Sequence, residues 1–450
     1  MFLDFLIKIF EENKDKQAIV WKGRIFTYGW LLDKFHYWQG EIRSRGIKTG
    51  SVTIVEADFS PSSIVLMLAL FENGCIFVPL TKAVSSKKVE FIEIAQGEFI
   101  FSIDEKDEVT VSKLSYVASH ELYSILRNKK HPGLVIFSSG STGKSKASVH
   151  DMTKFLDKFR VSRQSLKTIT FLLYDHIGGL NTLFYTLSNA GLLITINERS
   201  PDGVLKAVEK YRVELLPISP TFINLILLSE AYRRYNISSL KMVTYGTEPM
   251  PESTLKRFNK LFPDIKLLQT YGLSEVGILR SKSRSSDSLW VKVGGEGLQI
   301  RVVDGMLEIK SESAMLGYLN APDPFTKDGW FRTKDAVEVD GEYIKILGRK
   351  SEIINVGGEK VYPQEVENII REMDNVAEVT VYGEKNNITG SIVCANVNLI
   401  EREDKKLFSL RLRKYCSAKL QNYKVPVKIN FIDSEEKQYS ERFKKNKFNA

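Results

Sequence analysis

From about residue 17 to residue 275 the chain alternates apolar, β-rich runs with segments of helical period, and no other feature restricts its fold as much. Ser51-Val-Thr-Ile-Val-Glu leads into a helical stretch from Ser62 to Asn73 and then into Cys75-Ile-Phe-Val-Pro-Leu. Leu134-Val-Ile-Phe and, after the segment from Gly178 to Gly191, Leu192-Leu-Ile-Thr-Ile repeat the strand texture. Such alternation belongs to βαβ units, in which helices cover both faces of a largely parallel sheet. Past about residue 290 the texture changes to short strands joined by Asp304-Gly305 and Asp340-Gly341, dipeptides that favour tight hairpins. After Gly348-Arg349-Lys350-Ser351 comes a new helical pattern from Pro363 to Met373, with strands near Val379-Thr-Val-Tyr and Ile392-Val-Cys-Ala. The expected fold class is α/β. A large N-terminal domain of βαβ-type sheets with a β-rich subdomain spans residues 1–350, and a small α+β domain spans 351–450.

Length and composition agree. At 450 residues the chain exceeds what a single core organises, and 43% hydrophobic with 26% charged residues excludes both a disordered chain and a membrane bundle. The net charge of +9 suits a polyanionic partner, but charge alone selects none, and a nucleic-acid role rests on nothing else. Cys75, Cys394 and Cys416 form no CxxC pair and have no histidines at zinc spacing, so neither a disulfide framework nor a structural metal is expected. The apolar start carries Asp4 and Lys8 and reads as an amphipathic helix rather than a signal peptide. With no membrane span, a cytoplasmic protein is expected.

The most informative stretch is Phe137-Ser138-Ser139-Gly140-Ser141-Thr142-Gly143-Lys144-Ser145-Lys146, directly after an apolar strand. Glycines let backbone N–H groups turn inward and hydroxyls add donors, which is the chemistry of a polyphosphate cradle. Gly143-Lys144-Ser145 suggests a Walker A loop, but the earlier glycine which that motif requires is Ser138 here.

The run instead resembles the Ser/Thr/Gly-rich loop with a trailing lysine, here Lys146, of the adenylate-forming (ANL) superfamily, which includes acyl-CoA synthetases, luciferases and peptide-synthetase adenylation domains. It departs from that pattern at Ser145, where proline is usual, and at Ala147, where glycine is usual. Further stretches resemble the family's motifs in the family's order. Tyr245-Gly246-Thr247-Glu248-Pro249 is similar to the turn lining the adenine pocket. Gln269-Thr270-Tyr271-Gly272-Leu273-Ser274-Glu275 is similar to the element whose hydroxyl (Ser274) contacts the α-phosphate and whose carboxylate (Glu275) helps hold Mg²⁺. Gly329-Trp330-Phe331-Arg332-Thr333-Lys334-Asp335 resembles the signature whose aspartate, Asp335, binds both ribose hydroxyls, with Lys334 in place of glycine.

The stretch from Gly348 to Glu367 is similar to the hinge and following loop of acyl-CoA synthetases. The resemblance implies that Arg349 contacts ribose, Ser351 is the hinge of a mobile small domain, and Gly357-Gly358 lines a pantetheine tunnel, where a Cβ would obstruct the arm. The family's last catalytic lysine corresponds best to Lys444, although ungapped counting reaches Arg442 and Lys445 also fits.

Leu173-Tyr174-Asp175-His176-Ile177-Gly178-Gly179 resembles the segment beside the substrate carboxylate, so His176 is the candidate for positioning the acid. Tyr174-Asp175 could imitate the aromatic–aspartate pair of amino-acid-activating relatives. Aligning His176 with the aromatic puts Ile177 at the ammonium site and favours an acid without an α-amine. The resemblance therefore implies an ATP-dependent acid–thiol ligase that uses ATP and Mg²⁺. It would activate a small-molecule carboxylic acid as acyl-AMP, then pass the acyl group to coenzyme A or a phosphopantetheine carrier in trans. The alternatives are an amino-acid adenylation enzyme loading a stand-alone carrier protein, and a nucleotide-binding regulatory protein on a weakened catalytic fold.

Overall fold

The computed structural model describes residues 1–139, 145–295 and 297–432. Helix Pro61–Glu72 shows how local chemistry builds the interior. Ser60 caps it, exchanging hydrogen bonds with Ser63, Pro61 opens its first turn, and ten of its residues are buried. A helix apolar on every side has no solvent face and must be enclosed. It lies between two sheets, in a cluster that joins Ile19 and Leu193 of one sheet to Phe77 and Ile136 of the other.

Among the described residues the first sheet has seven strands, in the order Lys266–Gln269, Met242–Tyr245, Leu215–Ile218, Lys167–Ile169, Leu192–Ile194, Gln17–Trp21, Arg24–Thr27. All its pairings are parallel except the final hairpin. The second sheet, also of seven strands, runs Gly317–Tyr318, Ser145–Asp151, Gly133–Ser139, Ile76–Leu80, Val52–Glu56, Phe99–Ile103, Val109–Lys113. Its middle is parallel, as expected, but both edges are antiparallel. Only residues 140–144 separate Gly133–Ser139 from Ser145–Asp151, and so short a link cannot make a parallel crossover.

The β-rich part is a six-stranded antiparallel sheet ordered Ser281–Ser283, Val291–Val293, Tyr343–Arg349, Phe331–Asp340, Met306–Ser311, Leu298–Val303. Asp304 and Gly305 both take positive φ, 51° and 73°, as a two-residue hairpin demands. The second hairpin is offset from expectation. Asp340 pairs with Tyr343, so Gly341 and Glu342 form the turn and Asp340 ends the strand.

Beyond it, helices Pro363–Arg371 and Lys405–Ser417 pack on strands Val376–Asn386, Gly390–Leu399 and Lys428–Phe431 around Val366, Val379 and Phe408, a core of their own. This small domain meets the large one through polar contacts such as Gln364 Nε2 to the Met250 carbonyl (3.1 Å) and Asn224 Nδ2 to the Ala377 carbonyl (3.4 Å). The N-terminal helix Asp4–Glu12 is amphipathic and buries Leu6, Ile7 and Phe10. The three cysteines are free and buried, and no helix among the described residues is long and apolar enough to cross a membrane.

Candidate active site

Register in the six-stranded sheet sets Asp335 directly across from Arg349. Arg349 Nε lies 3.2 Å from Asp335 Oδ1, and the Tyr271 hydroxyl donates to Oδ2 at 2.6 Å. Asp335 is only 5% exposed, and burial pushes its carboxyl up from the ordinary range against the opposing pull of Arg349 and Tyr271. The Thr333 hydroxyl accepts from the Asp335 N–H and donates to the Leu307 carbonyl, fixing the backbone at this point. Between them Lys334 has φ 63°, the left-handed conformation that explains why glycine is usual there.

A second turn carries Ser274 and Glu275 to the same region. The strands Gly272–Leu273 and Gly277–Ile278 pair closely enough that a Cβ on Gly272 would stand 2.5 Å from the Gly277 carbonyl oxygen. Ser274, Glu275 and Val276 form the tip. Glu275 Oε1 accepts a 2.6 Å hydrogen bond from the Tyr318 hydroxyl. Tyr318 lies on the edge strand opposite Ser148, and the Lys146 ammonium stands 5.1 Å from its ring centroid. Arg349 feels the charge of both Asp335 and Glu275, so the two turns border one space.

The strand leaving residues 140–144 is clamped. Asn320 accepts from the Ala147 N–H (3.0 Å) and donates to the Ser145 carbonyl (2.9 Å), while Lys87 donates to the Ser145 hydroxyl (3.2 Å). Ser138 and Ser139 pair with Lys146 and Ser145, so they belong to the strands rather than to the loop. Ser145–Asp151 is itself a strand, which excludes a Walker loop on structural grounds, since that arrangement ends in a helix. Gly140, Ser141, Thr142 and Gly143 lie outside the described residues, as do Arg442, Lys444 and Lys445.

The turn expected to line an adenine pocket is tied to the Tyr271 segment by the Thr270 N–H, which donates to the Tyr245 carbonyl at 2.7 Å. Gly246 has no room for a side chain, because a Cβ would come within 2.6 Å of the Thr270 hydroxyl. Thr247 takes φ 74°. Glu248 accepts from the Thr221 N–H (2.8 Å) at the start of helix Pro220–Ser229, a favourable place for a carboxylate. His176 Nδ1 accepts from the Gly178 N–H (3.0 Å) and caps helix Ile177–Leu187. Its neighbours are committed to the interior. The Tyr174 hydroxyl donates to the Ser63 carbonyl at 2.9 Å, and Asp175 accepts from Thr81 at 3.0 Å.

Ser351 is exposed in the short turn Lys350–Glu352. Gly357 and Gly358 join strands Ile354–Val356 and Glu359–Val361 with φ 60° and 92°. A Cβ on either would meet no protein atom within 4 Å, so within the protein itself these glycines answer to backbone conformation.

Residues 8–319 match the AMP-binding enzyme family and residues 365–442 match its C-terminal domain. The chain is a member of the AMP-binding enzyme family. It thereby belongs to the adenylate-forming superfamily. It is 28% identical to the indoleacetate–CoA ligase of Aromatoleum aromaticum over 67% of this chain and 64% of that protein, just under two thirds of its length. It is 23% identical to the 2-succinylbenzoate–CoA ligase of Listeria monocytogenes over 96% of this chain and 95% of that one. Its fold is that of an anthranilate CoA ligase solved with anthranoyl-AMP, with a TM-score of 0.80 at 17% identity over 95% of this chain and 93% of that one.

Two features of this AMP-binding enzyme escaped the sequence reading. Tyr318 and Asn320 sit in Gly317-Tyr318-Leu319-Asn320, which carries no signal beyond a short strand, although both touch the motif residues. His150, on the strand after the loop, is 1% exposed, and neither ring nitrogen has a hydrogen-bond partner among the described residues. The described residues contain no cluster of three or more metal-ligating side chains. Glu275 alone, braced by Tyr318, suits a cation such as Mg²⁺ that takes one or two carboxylates beside substrate phosphates.

Proposed function

We propose that the protein is an ATP-dependent acid–thiol ligase, which forms an acyl-adenylate from a carboxylic acid and ATP and transfers the acyl group to coenzyme A. The observation that carries this reading is the convergence of Tyr271, Asp335 and Arg349 with Glu275, Tyr318 and Lys146, which come from widely separated parts of the sequence. Asp335 is oriented to accept from ribose hydroxyls, with Arg349 and Tyr271 holding its carboxylate in place. Ser274 and Lys146 contact the phosphates. Glu275 would hold Mg²⁺, which neutralises charge on the triphosphate when bound. The nucleophiles come from the substrates, so the protein's contribution is positioning and charge neutralisation.

We assign the acid to the space beside His176, whose Nδ1 caps helix Ile177–Leu187 and so fixes the ring at the start of that helix. Burial of Tyr174 and Asp175 in internal hydrogen bonds supports an acid without an α-amine over the amino-acid-loading alternative. We divide the domains after Lys350 and assign rotation to Ser351, presenting Lys444 for adenylation and Gly357-Gly358 for thiol transfer. Separate cores and a polar interface support that motion.

The test is ATP–pyrophosphate exchange across aryl, fatty and amino acids, followed by thioester formation with coenzyme A or a phosphopantetheine carrier. Exchange with an aryl or fatty acid and transfer to coenzyme A is the expected result. Exchange with amino acids alone overturns it.

A further inference from the structure

Strand Ser281–Ser283 follows the Ser274–Glu275 hairpin, and its outer face carries a line of cations. Alternate residues of a strand share a face, so Arg280, Lys282 and Arg284 lie together while Val291 and Val293 of the partner strand turn into the core. The register sets Lys282 directly opposite Lys292, a like-charge pair that disfavours the strand contact. The neighbouring hairpin turn answers two of these charges. Lys292 Nζ reaches Glu342 at 2.6 Å, and Arg284 reaches Asp340 at 2.7 Å. Arg280 and Lys282 have no carboxylate partner among the described residues.

Arg280, Lys282 and Lys292 border a concavity of about 340 Å³, where among the described residues they stand against one carboxylate, Glu342, with Gly294 and Tyr343 in the wall. Its inner side adjoins the nucleotide cluster, because the Ser281 hydroxyl accepts from the N–H of Tyr271, the residue whose own hydroxyl holds Asp335. The local field is positive beyond the concavity as well. Burial pushes the Lys158 ammonium down to about 7, and the charges of Arg163 and Arg280 add to that effect.

We propose that this concavity is a second anion site, which takes a phosphate group of a phosphorylated small molecule and is distinct from the nucleotide site around Asp335. A carboxylate would need one cation. A phosphate dianion, with oxygens directed several ways, matches a like-charge lysine pair with an arginine beside it. The volume lies at the lower end of small-ligand sites and admits more than a bare phosphate. If the function proposed above holds, two of its participants carry this chemistry. Coenzyme A would make the concavity a docking point for the acceptor, and pyrophosphate would make it a holding point for the product.

The experiment titrates the full chain calorimetrically with coenzyme A, dephospho-coenzyme A and pyrophosphate, with the nucleotide site filled by α,β-methylene-ATP. At least one probe is expected to bind in a salt-sensitive manner. Lys282→Glu is expected to weaken that binding by about tenfold or more, while Lys282→Arg retains it. Loss confined to coenzyme A identifies its 3′-phosphate as the occupant, loss shared with dephospho-coenzyme A its diphosphate, and loss confined to pyrophosphate the product. The proposal is overturned if no probe binds, or if Lys282→Glu binds all three as the unsubstituted chain does. ATP–pyrophosphate exchange is measured in parallel. Exchange that persists in Lys282→Glu keeps the ligase reading intact whatever the titration shows, whereas an unsubstituted chain inactive with every acid removes that reading without touching the titration.

Discussion

Tyr318 and Glu275, forty-three residues apart, share a 2.6 Å hydrogen bond that joins the edge of one sheet to the tip of a hairpin from elsewhere in the fold. Burial first, and the charge of Glu275 next, keep the Tyr318 hydroxyl protonated and therefore a donor. The bond fixes one carboxylate oxygen of Glu275.

Tyr318→Phe keeps the ring beneath Lys146 and removes only this donor. A hydrogen bond to a charged group contributes about 1.5–3 kcal/mol, so the concentration of Mg²⁺ giving half-maximal exchange should rise about tenfold. Magnesium titration of the exchange reaction measures it. An unchanged Mg²⁺ requirement would show that Glu275 holds its orientation without Tyr318.

Asp335 gives the complementary case. Asp335→Ala leaves the buried Tyr271 hydroxyl without its acceptor and Arg349 without its counter-charge, at a cost of about 1–3 kcal/mol in stability. Asp335→Asn still accepts from Tyr271 and should fold nearly as well. Both should raise the ATP KM by about tenfold or more, one lost pair of ribose contacts being on the order of 1.4 kcal/mol or above. Denaturant midpoints and exchange kinetics on the two variants separate the folding effect from the binding effect.

The segments we assign to the nucleotide stand out in the sequence because their local geometry is itself demanding. Gly246 and Gly272 have no space for a Cβ, and Asp335 needs an unusual backbone just before it, so their neighbours carry a recognisable signature. Tyr318 and Asn320 lack one. Their roles arise from pairing with Ser145–Asp151, 173 residues away in the case of Asn320 and Ala147, and no local pattern encodes a contact of that range. The antiparallel edges of the second sheet were missed for a related reason. A strand's apolar run states that it is buried but not the direction in which its neighbour runs.

Lys334 makes a prediction about cost. An L-residue held at φ 63° is disfavoured by about 1–2 kcal/mol, whereas glycine adopts that conformation freely and loses part of the gain to its greater freedom when unfolded. Lys334→Gly is expected to raise stability by about 0.5–1 kcal/mol with exchange activity retained. Lys334→Val, β-branched, should lower stability and displace Asp335, raising the ATP KM. Urea midpoints of the two variants should move in opposite directions.

His150 couples stability to acid. Enclosed on the strand behind the Ser274 turn, its imidazole is pushed down by burial to about 4. Its unfolded value is about 6.5, so above that pH neither state binds the proton and the group contributes no pH dependence. Below it the unfolded chain takes up a proton that the folded chain refuses, and stability falls until about pH 4, by on the order of 3 kcal/mol in all. His150→Leu removes both the proton and two unpartnered ring nitrogens. It should therefore be at least as stable as the unsubstituted protein at pH 7.5, with a margin growing by about 2 kcal/mol at pH 5. Denaturant unfolding at the two pH values measures that margin, and a margin independent of pH would mean that His150 is not the group that refuses the proton. If exchange activity also survives the substitution, the imidazole serves only to fill the space behind Ser274. If kcat falls while the ATP KM holds, the ring positions the Ser274 turn for the reacting phosphate.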